Sequence, residues 1–115
     1  MPVKNRFAEL LPDIAAWRRD LHEHPEILFD THRTSAIVAE KLRAFGCDEI
    51  VTGIGRTGVC GVIKGKSNKS SKVIGLRADM DALPIHEATG LDYASKVDGA
   101  MHACGHDGHT SMLLG

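Results

Sequence analysis

The stretch Met101-His102-Ala103-Cys104-Gly105-His106-Asp107-Gly108-His109-Thr110 brings three histidines, one cysteine and one aspartate into a single short window. Its glycines allow the backbone to bend tightly, so that side chains can converge. Thiolate, imidazole and carboxylate groups together form a ligand set for a divalent transition metal. Cys104 and His106 lie two positions apart, so both point to the same side of an extended segment, and Gly105 disfavours a helix there. We therefore predict a metal-binding loop.

Two other interpretations of this window are open from the residues alone. The first is a polar surface loop with scattered histidines, although ligand-type side chains seldom cluster by accident in a glycine-rich turn. The second makes Cys104 a catalytic thiol that a neighbouring histidine activates. No local feature selects which histidine would act as that base.

The composition limits the class of protein and its partners. The chain has 115 residues, of which 43% are hydrophobic, which suits one modest domain with a core. A formal net charge of -1 and 4% aromatic residues argue against nucleic acid and against an anionic membrane as partners. No segment approaches the roughly 20 apolar residues of a membrane span.

The cysteines indicate a reducing compartment. There are three of them, Cys47, Cys60 and Cys104, without the even number or regular spacing of a disulfide framework. Reduced thiols in the cytoplasm are the simpler interpretation, and Cys60, inside an apolar run, is predicted to lie in the core. Lys4 and Arg6 are not followed by a sustained apolar run, so no signal peptide is expected.

The first part of the chain is predicted to form an amphipathic helix. Apolar residues recur at helical spacing from Phe7 to Leu21, and Pro25 disfavours helix in the residue before it, so the helix should end near His24. Pro12 either kinks this helix or marks the first turn of one that starts later. We favour surface and capping roles for His22 and His24 over ligand roles, because cations suit a helix C-terminus.

A second helix should begin after Asp30 or Thr31, either of which can cap it, and end at Gly46. Three short β-type runs follow, and the residues between the last two predict a solvated hairpin tip with four lysines. A third helix should begin near His109. The fold class predicted is α/β. The three β-type runs comprise residues 50–51, 59–63 and 73–76.

Two aspartates follow the third β-type run directly, in Asp79-Met80-Asp81. Ligands in α/β sheets gather beyond the carboxyl ends of strands. Carboxylates at that place suit metal binding, or support of metal-bound histidines. The alternative is a carboxylate turn that Pro84 terminates. We predict that both aspartates face the same cleft as Cys104 and His106.

Three ordered blocks of the chain resemble one family. Arg18-Arg19-Asp20-Leu21-His22 with Pro25-Glu26 resembles the opening of M20-type metallopeptidases of the amidohydrolase branch, which includes hippurate hydrolases and N-acyl-amino-acid amidohydrolases. The segment from Leu76 to Ile85 resembles the second block of that branch. The segment from Met101 to Gly115 resembles the third and most specific block.

The resemblance implies a binuclear site for manganese or zinc on an α/β catalytic domain. It implies that Cys104 and His106 are metal ligands and that Asp81 and Asp79 are carboxylates of the catalytic site that support or tune the metal. The activity implied is hydrolysis of the amide bond of an N-acyl amino acid by a metal-activated water. His109 and Asp107 belong to the same block without an implied ligand role.

The family pattern also requires a glutamate base, a glutamate ligand and two further histidine ligands. We expect these beyond Gly115, so that residues 1–115 form the N-terminal portion of the catalytic domain, without its remainder or a lid or dimerisation domain. Two ligands cannot complete a four-coordinate catalytic site. A dipeptidase of the same family and a catalytically silent metal-binding fragment are the alternatives, and a homo-oligomer is open for the full-length enzyme.

Overall fold

The computed structural model describes residues 2–67 and 69–115, with side chains from residue 6 onward. Within these residues the order of elements is two helices, a two-stranded sheet and a third helix, which confirms the predicted α/β class. No helix in this part of the chain has the length and apolarity needed to cross a bilayer. The elements are α1 (Pro2–Glu23), α2 (His32–Ala44), β1 (Glu49–Ile54), β2 (Gly58–Val62) and α3 (His106–Leu114).

Helix α1 ends where the sequence predicts. It stops at Glu23, and the backbone N–H of His24 donates to the carbonyl of Leu21 at 3.2 Å. The helix continues through Pro12, so the late start considered for it is wrong. Leu21 is buried and belongs to the small core, in which Val38 of α2 also lies.

Helix α2 is capped by a residue that lies before the helix in the chain. Thr31 occupies the N-cap position but makes no capping hydrogen bond through its side chain. The Glu26 carboxylate instead accepts from the backbone N–H groups of Arg33 at 2.9 Å and Thr34 at 2.7 Å. These are among the first N–H groups of the helix, which have no partner within it. The chain from Pro25 onward is thereby fixed against the start of α2.

Helix α2 stops at Ala44, just before Gly46, which is the predicted stop signal. Gly46 has a φ of +83°, which favours glycine. Its N–H donates to the carbonyl of Arg43 at 3.0 Å, and the N–H of Cys47 donates to the carbonyl of Leu42 at 3.1 Å. This pair of bonds is a Schellman motif. It reverses the chain so that β1 can pack against the helix it has just left.

Strands β1 and β2 form an antiparallel hairpin. Glu49 pairs with Val62, and a bulge interrupts the register between Thr52 and Ile54. Helix α2 packs against both strands. The approach is close at Gly61, where a Cβ atom would lie 3.1 Å from the side chain of Leu42.

The third predicted strand is wrong. Residues 73–76 pair with no strand in the described part of the chain, and Val73 is 92% exposed to solvent. The apolar run has strand-type composition, but a strand forms only where a partner supplies the ladder of hydrogen bonds. The lysine-rich loop before it is exposed, with Asn68 outside the described residues, and is not a hairpin tip. Cys60 is also exposed, which contradicts the predicted core position.

Helix α3 begins at His106, earlier than the start predicted near His109. Gly105 is its N-cap with a φ of +95°, so this glycine starts the helix instead of excluding it. The argument that Gly105 disfavours a helix therefore holds for the residues before it and fails for His106. Helix α3 packs against α1.

Candidate metal centre

The segment from Asp79 to Leu83 is held in place by backbone bonds to two distant parts of the chain. The N–H of Ala82 donates to the carbonyl of Glu26 at 2.7 Å. Leu83 and Met101 form an antiparallel bridge, with N–H to O distances of 2.9 and 3.0 Å. Although no regular strand forms here, the two aspartates therefore have a fixed backbone.

Helix α3 contacts the same segment through two side chains. The Thr110 hydroxyl donates to the backbone carbonyl of Asp79 at 2.9 Å. Nδ1 of His106 lies 2.9 Å from the carbonyl oxygen of Asp81 and 3.0 Å from its carboxylate Oδ1. Both of these atoms are acceptors, so the ring carries its proton on Nδ1. The lone pair of Nε2 is then free, and this atom lies 3.8 Å from Oδ2 of Asp79.

This arrangement suits a divalent metal in part. A carboxylate that fixes one ring nitrogen of a histidine, leaving the other available, is the usual support of a metal-bound imidazole. Two ligand atoms on one tetrahedral zinc lie about 3.4 Å apart, which is near the separation of His106 Nε2 and Asp79 Oδ2. Among the described residues, however, no group of three or more His, Cys, Asp or Glu side chains is arranged to hold an ion. The residues present fit as part of a ligand set.

Cys104 lies two residues before His106 and is exposed as a free thiol. Its sulfur forms no hydrogen bond to the described residues around it, so the structure assigns it no histidine base. The ring of His109 lies 5.5 Å from that of His106, centroid to centroid. The predicted site residues Asp79, Asp81 and His106 are thus brought together, and the place of Cys104 in a shared site stays a prediction.

A buried polar cluster next to this site was not predicted. We expected His22 on the surface, but it is buried, with Nδ1 2.8 Å from Oδ2 of Asp107 and Nε2 3.0 Å from Oε1 of Glu87. Nε of Arg18 donates to the same oxygen of Asp107 at 2.8 Å. Asp107 is only 1% exposed, although no role was predicted for it. For His24 the expected capping role agrees with the structure, since its Nδ1 lies 2.9 Å from the carbonyl oxygen of Asp20 near the end of α1.

The environment of Glu87 strongly favours its charged form. Burial by itself raises the pKa of this carboxyl. Hydrogen bonds from the Thr89 hydroxyl, from His22 and from the backbone N–H of Ser95 outweigh that effect and lower the pKa to about 2. The Glu87 side chain is only 2% exposed, so an ionised carboxylate here needs all of these partners.

His102 completes the buried cluster. Its ring centroid lies 6.4 Å from that of His22, and neither ring nitrogen has a hydrogen-bond partner within the described residues. Burial lowers the pKa of His102 by disfavouring the imidazolium, against the opposing effect of Asp107. The neutral ring is therefore favoured.

Comparison with known proteins points to one family. The model of Peptidase family M20/M25/M40 matches residues 75–115, which contain all four predicted site residues. The chain is 58% identical over 97 residues to the hippurate hydrolase of Campylobacter jejuni, which is 84% of this chain and 24% of that relative. It is 46% identical over 113 residues to the N-acyl-L-amino acid amidohydrolase of Geobacillus stearothermophilus, or 98% of this chain and 30% of the relative.

The chain belongs to the M20 peptidase family. Among solved structures of this family, the YXEP protein of Bacillus subtilis, described as a dinuclear metal binding peptidase, matches with a TM-score of 0.82 and 46% identity. The match covers 90% of this chain and 28% of that one. The chain therefore spans between 24% and 30% of the length of these M20 relatives.

Proposed function

We propose that this chain is the N-terminal portion of the catalytic domain of a metal-dependent amidohydrolase that cleaves N-acyl amino acids, with hippurate-like compounds as the substrate class. The observation that carries the proposal is the fixed contact of His106 with Asp81, beside Asp79 and two residues after Cys104. Membership in the M20 family supports the reaction class. Relatives named hippurate hydrolase and N-acyl-L-amino acid amidohydrolase support the substrate class.

In the proposed site, Cys104 and His106 hold metal, and Asp79 and Asp81 position and tune it. Two divalent ions, manganese or zinc, would supply Lewis-acid polarisation of the amide carbonyl and make a water acidic enough to react near neutral pH. Asp81 keeps the proton of His106 on Nδ1, so that Nε2 stays available as a ligand. We place the glutamate base and the other ligands outside residues 1–115, and we propose a cytoplasmic enzyme with reduced thiols.

The test uses the complete protein that contains this chain. Removal of metal with a chelator should abolish hydrolysis of hippurate and N-acetyl amino acids, and added Mn²⁺ or Zn²⁺ should restore it. Cys104→Ser should lower both metal content and rate, because a hydroxyl is a harder and weaker ligand than a thiolate. Cys60→Ser is the matched control, since Cys60 is also a free, exposed cysteine, in β2, and this change should leave both unaltered.

One result would favour the alternative in which Cys104 is a nucleophile. That result is activity that survives chelation but is lost when the thiols of the metal-free protein are alkylated. A preference for free dipeptides over N-acyl amino acids would instead favour the dipeptidase alternative. Residues 1–115 expressed alone should be inactive, because we place the base outside them.

A further inference from the structure

The first turn of α3 is anchored through a buried carboxylate. Asp107, the second residue of α3, is 1% exposed. Its Oδ2 accepts a hydrogen bond from Nε of Arg18 at 2.8 Å and lies 2.8 Å from Nδ1 of His22. Both of these partners lie on α1. Nε2 of His22 lies in turn 3.0 Å from the buried carboxylate of Glu87. His22 therefore links the carboxylate of Asp107 to that of Glu87 through its two ring nitrogens.

The contacts of Asp107 with α1 stand in place of a side-chain cap at the start of α3. Gly105 is the N-cap of α3 and has no side chain with which to cap the helix. Ser111 is buried and bonds the backbone carbonyl of Asp107 at 2.8 Å, which holds the same turn from within α3. The position of the start of α3 therefore depends on Asp107 and its partners on α1. Removal of the charged partner of a buried carboxylate strongly destabilises a fold, so this link is costly to break.

The same turn carries the proposed ligand. His106 immediately precedes Asp107, and Nδ1 of its ring lies 3.0 Å from the carboxylate of Asp81. The orientation of a metal ligand depends on how firmly the groups around it are held. Asp107 fixes the helix that presents the ring, and Asp81 fixes the ring itself.

We infer that Asp107, held by Arg18 and His22, is a positioning residue for His106, so that it sets metal affinity and ligand geometry without touching the metal. This inference rests on the proposed function, because it takes His106 as a ligand. It adds a role for α1, which supplies none of the proposed ligands. It also gives a role to two residues of α1, the buried His22 and the partly exposed Arg18.

The experiment measures metal binding by the complete protein, with cobalt and zinc as the probes. Asp107→Asn should weaken Zn²⁺ binding about tenfold by calorimetry, the size of effect found for groups that support ligands. It should also change the visible absorption bands of bound Co²⁺, which report the arrangement of ligands. Arg18→Lys, at a partly exposed position, is the milder variant and should give a smaller change of the same kind.

The control separates positioning from general destabilisation. Gly46→Ala places a side chain at a φ of +83° after the end of α2, where its Cβ atom would meet no other atom of the described residues within 4 Å, and should lower stability with the Co²⁺ spectrum unchanged. If Asp107→Asn and Arg18→Lys lower stability as Gly46→Ala does and leave affinity and spectrum unaltered, the inference is wrong. If Asp107→Asn does not fold, the result for Arg18→Lys alone decides. Wild-type protein that binds neither Co²⁺ nor Zn²⁺ would instead refute the proposed function, and the inference with it.

Discussion

The contact between Asp81 and His106 makes a sharp prediction about metal affinity. Nδ1 of His106 has two acceptors on this one residue, the backbone carbonyl at 2.9 Å and the carboxylate at 3.0 Å. Asp81→Asn removes the carboxylate charge but keeps the carbonyl, so the proton should stay on Nδ1 and Nε2 should stay available. We therefore expect a loss at the lower end of the range for supporting groups, about tenfold in affinity or about 1.4 kcal/mol.

Calorimetric titration of the metal-free complete protein with Zn²⁺ measures this loss. Asp98→Asn is the matched control, because Asp98 makes the same kind of contact with Nδ1 of His86, at 2.9 Å, on the surface. That pair is too exposed to support an ordered site, with 93% of the Asp98 side chain open to solvent, and the change should leave affinity unaltered. Equal affinities of wild type and Asp81→Asn, with the fold intact by circular dichroism, would refute the reasoning.

Three further predictions concern stability. Because the folded state lowers the pKa of Glu87 from 4.5 to about 2, its carboxylate stabilises the fold fully above about pH 4.5, and this contribution is lost as the pH falls towards 2. The free energy of unfolding in urea should therefore fall more steeply with acid in wild type than in Glu87→Gln, and equal slopes would contradict the assignment. Glu26→Ala, which removes the cap of α2, should lower the free energy of unfolding by about 1 to 2 kcal/mol, whereas Glu40→Ala on the exposed face of α2 should change it by less than about 0.5 kcal/mol. Gly46→Ala should lower the midpoint of thermal unfolding, since a side chain at a φ of +83° costs about 1 kcal/mol or more, and Gly65→Ala in the exposed loop should not; equal midpoints would argue against the strained turn.

The features that the sequence predicted correctly depend on local chemistry. The end of α1 before Pro25 and the end of α2 just before Gly46 each follow from the backbone limits of one residue. Asp79 and Asp81 were predicted to share a cleft with Cys104 and His106, because both segments end or interrupt regular structure with ligand-type side chains. The place of Cys104 in that cleft stays a prediction, and residues 73–76, expected as the strand before the aspartates, form no strand. The structure brings Asp79, Asp81 and His106 together, while their roles as ligands and supports stay a proposal.

The features that were missed depend on distant parts of the chain. Residues 73–76 have the composition of a strand, but pairing depends on a neighbour that the composition does not specify. His22 was assigned to the surface because it lies near a helix end with charged neighbours. Its burial follows from Asp107 and Glu87, and no local pattern around His22 indicates either of them.

One signal could have pointed to the cluster on α1. Arg18 and His22 are four residues apart, so they share a face of the helix, and that face adjoins the apolar stripe that contains Leu21. Charged residues beside an apolar stripe need partners from elsewhere if that stripe packs. Asp107 was a candidate for that partner, because it lies in a block of ligand-type residues and had no implied ligand role.

The anchor of α3 also has a consequence for how the chain folds during synthesis. The contacts of Asp107 with Arg18 and His22 join residues that are 89 and 85 positions apart. Closing a flexible loop of that length carries an entropic penalty of about 4 kcal/mol. At roughly 5 to 20 residues per second, the ribosome delivers Asp107 about 4 to 17 s after His22. Throughout that interval α1 carries an arginine and a histidine whose carboxylate partner has not been made, so the contact that fixes α3 can form only after Asp107 has been synthesised.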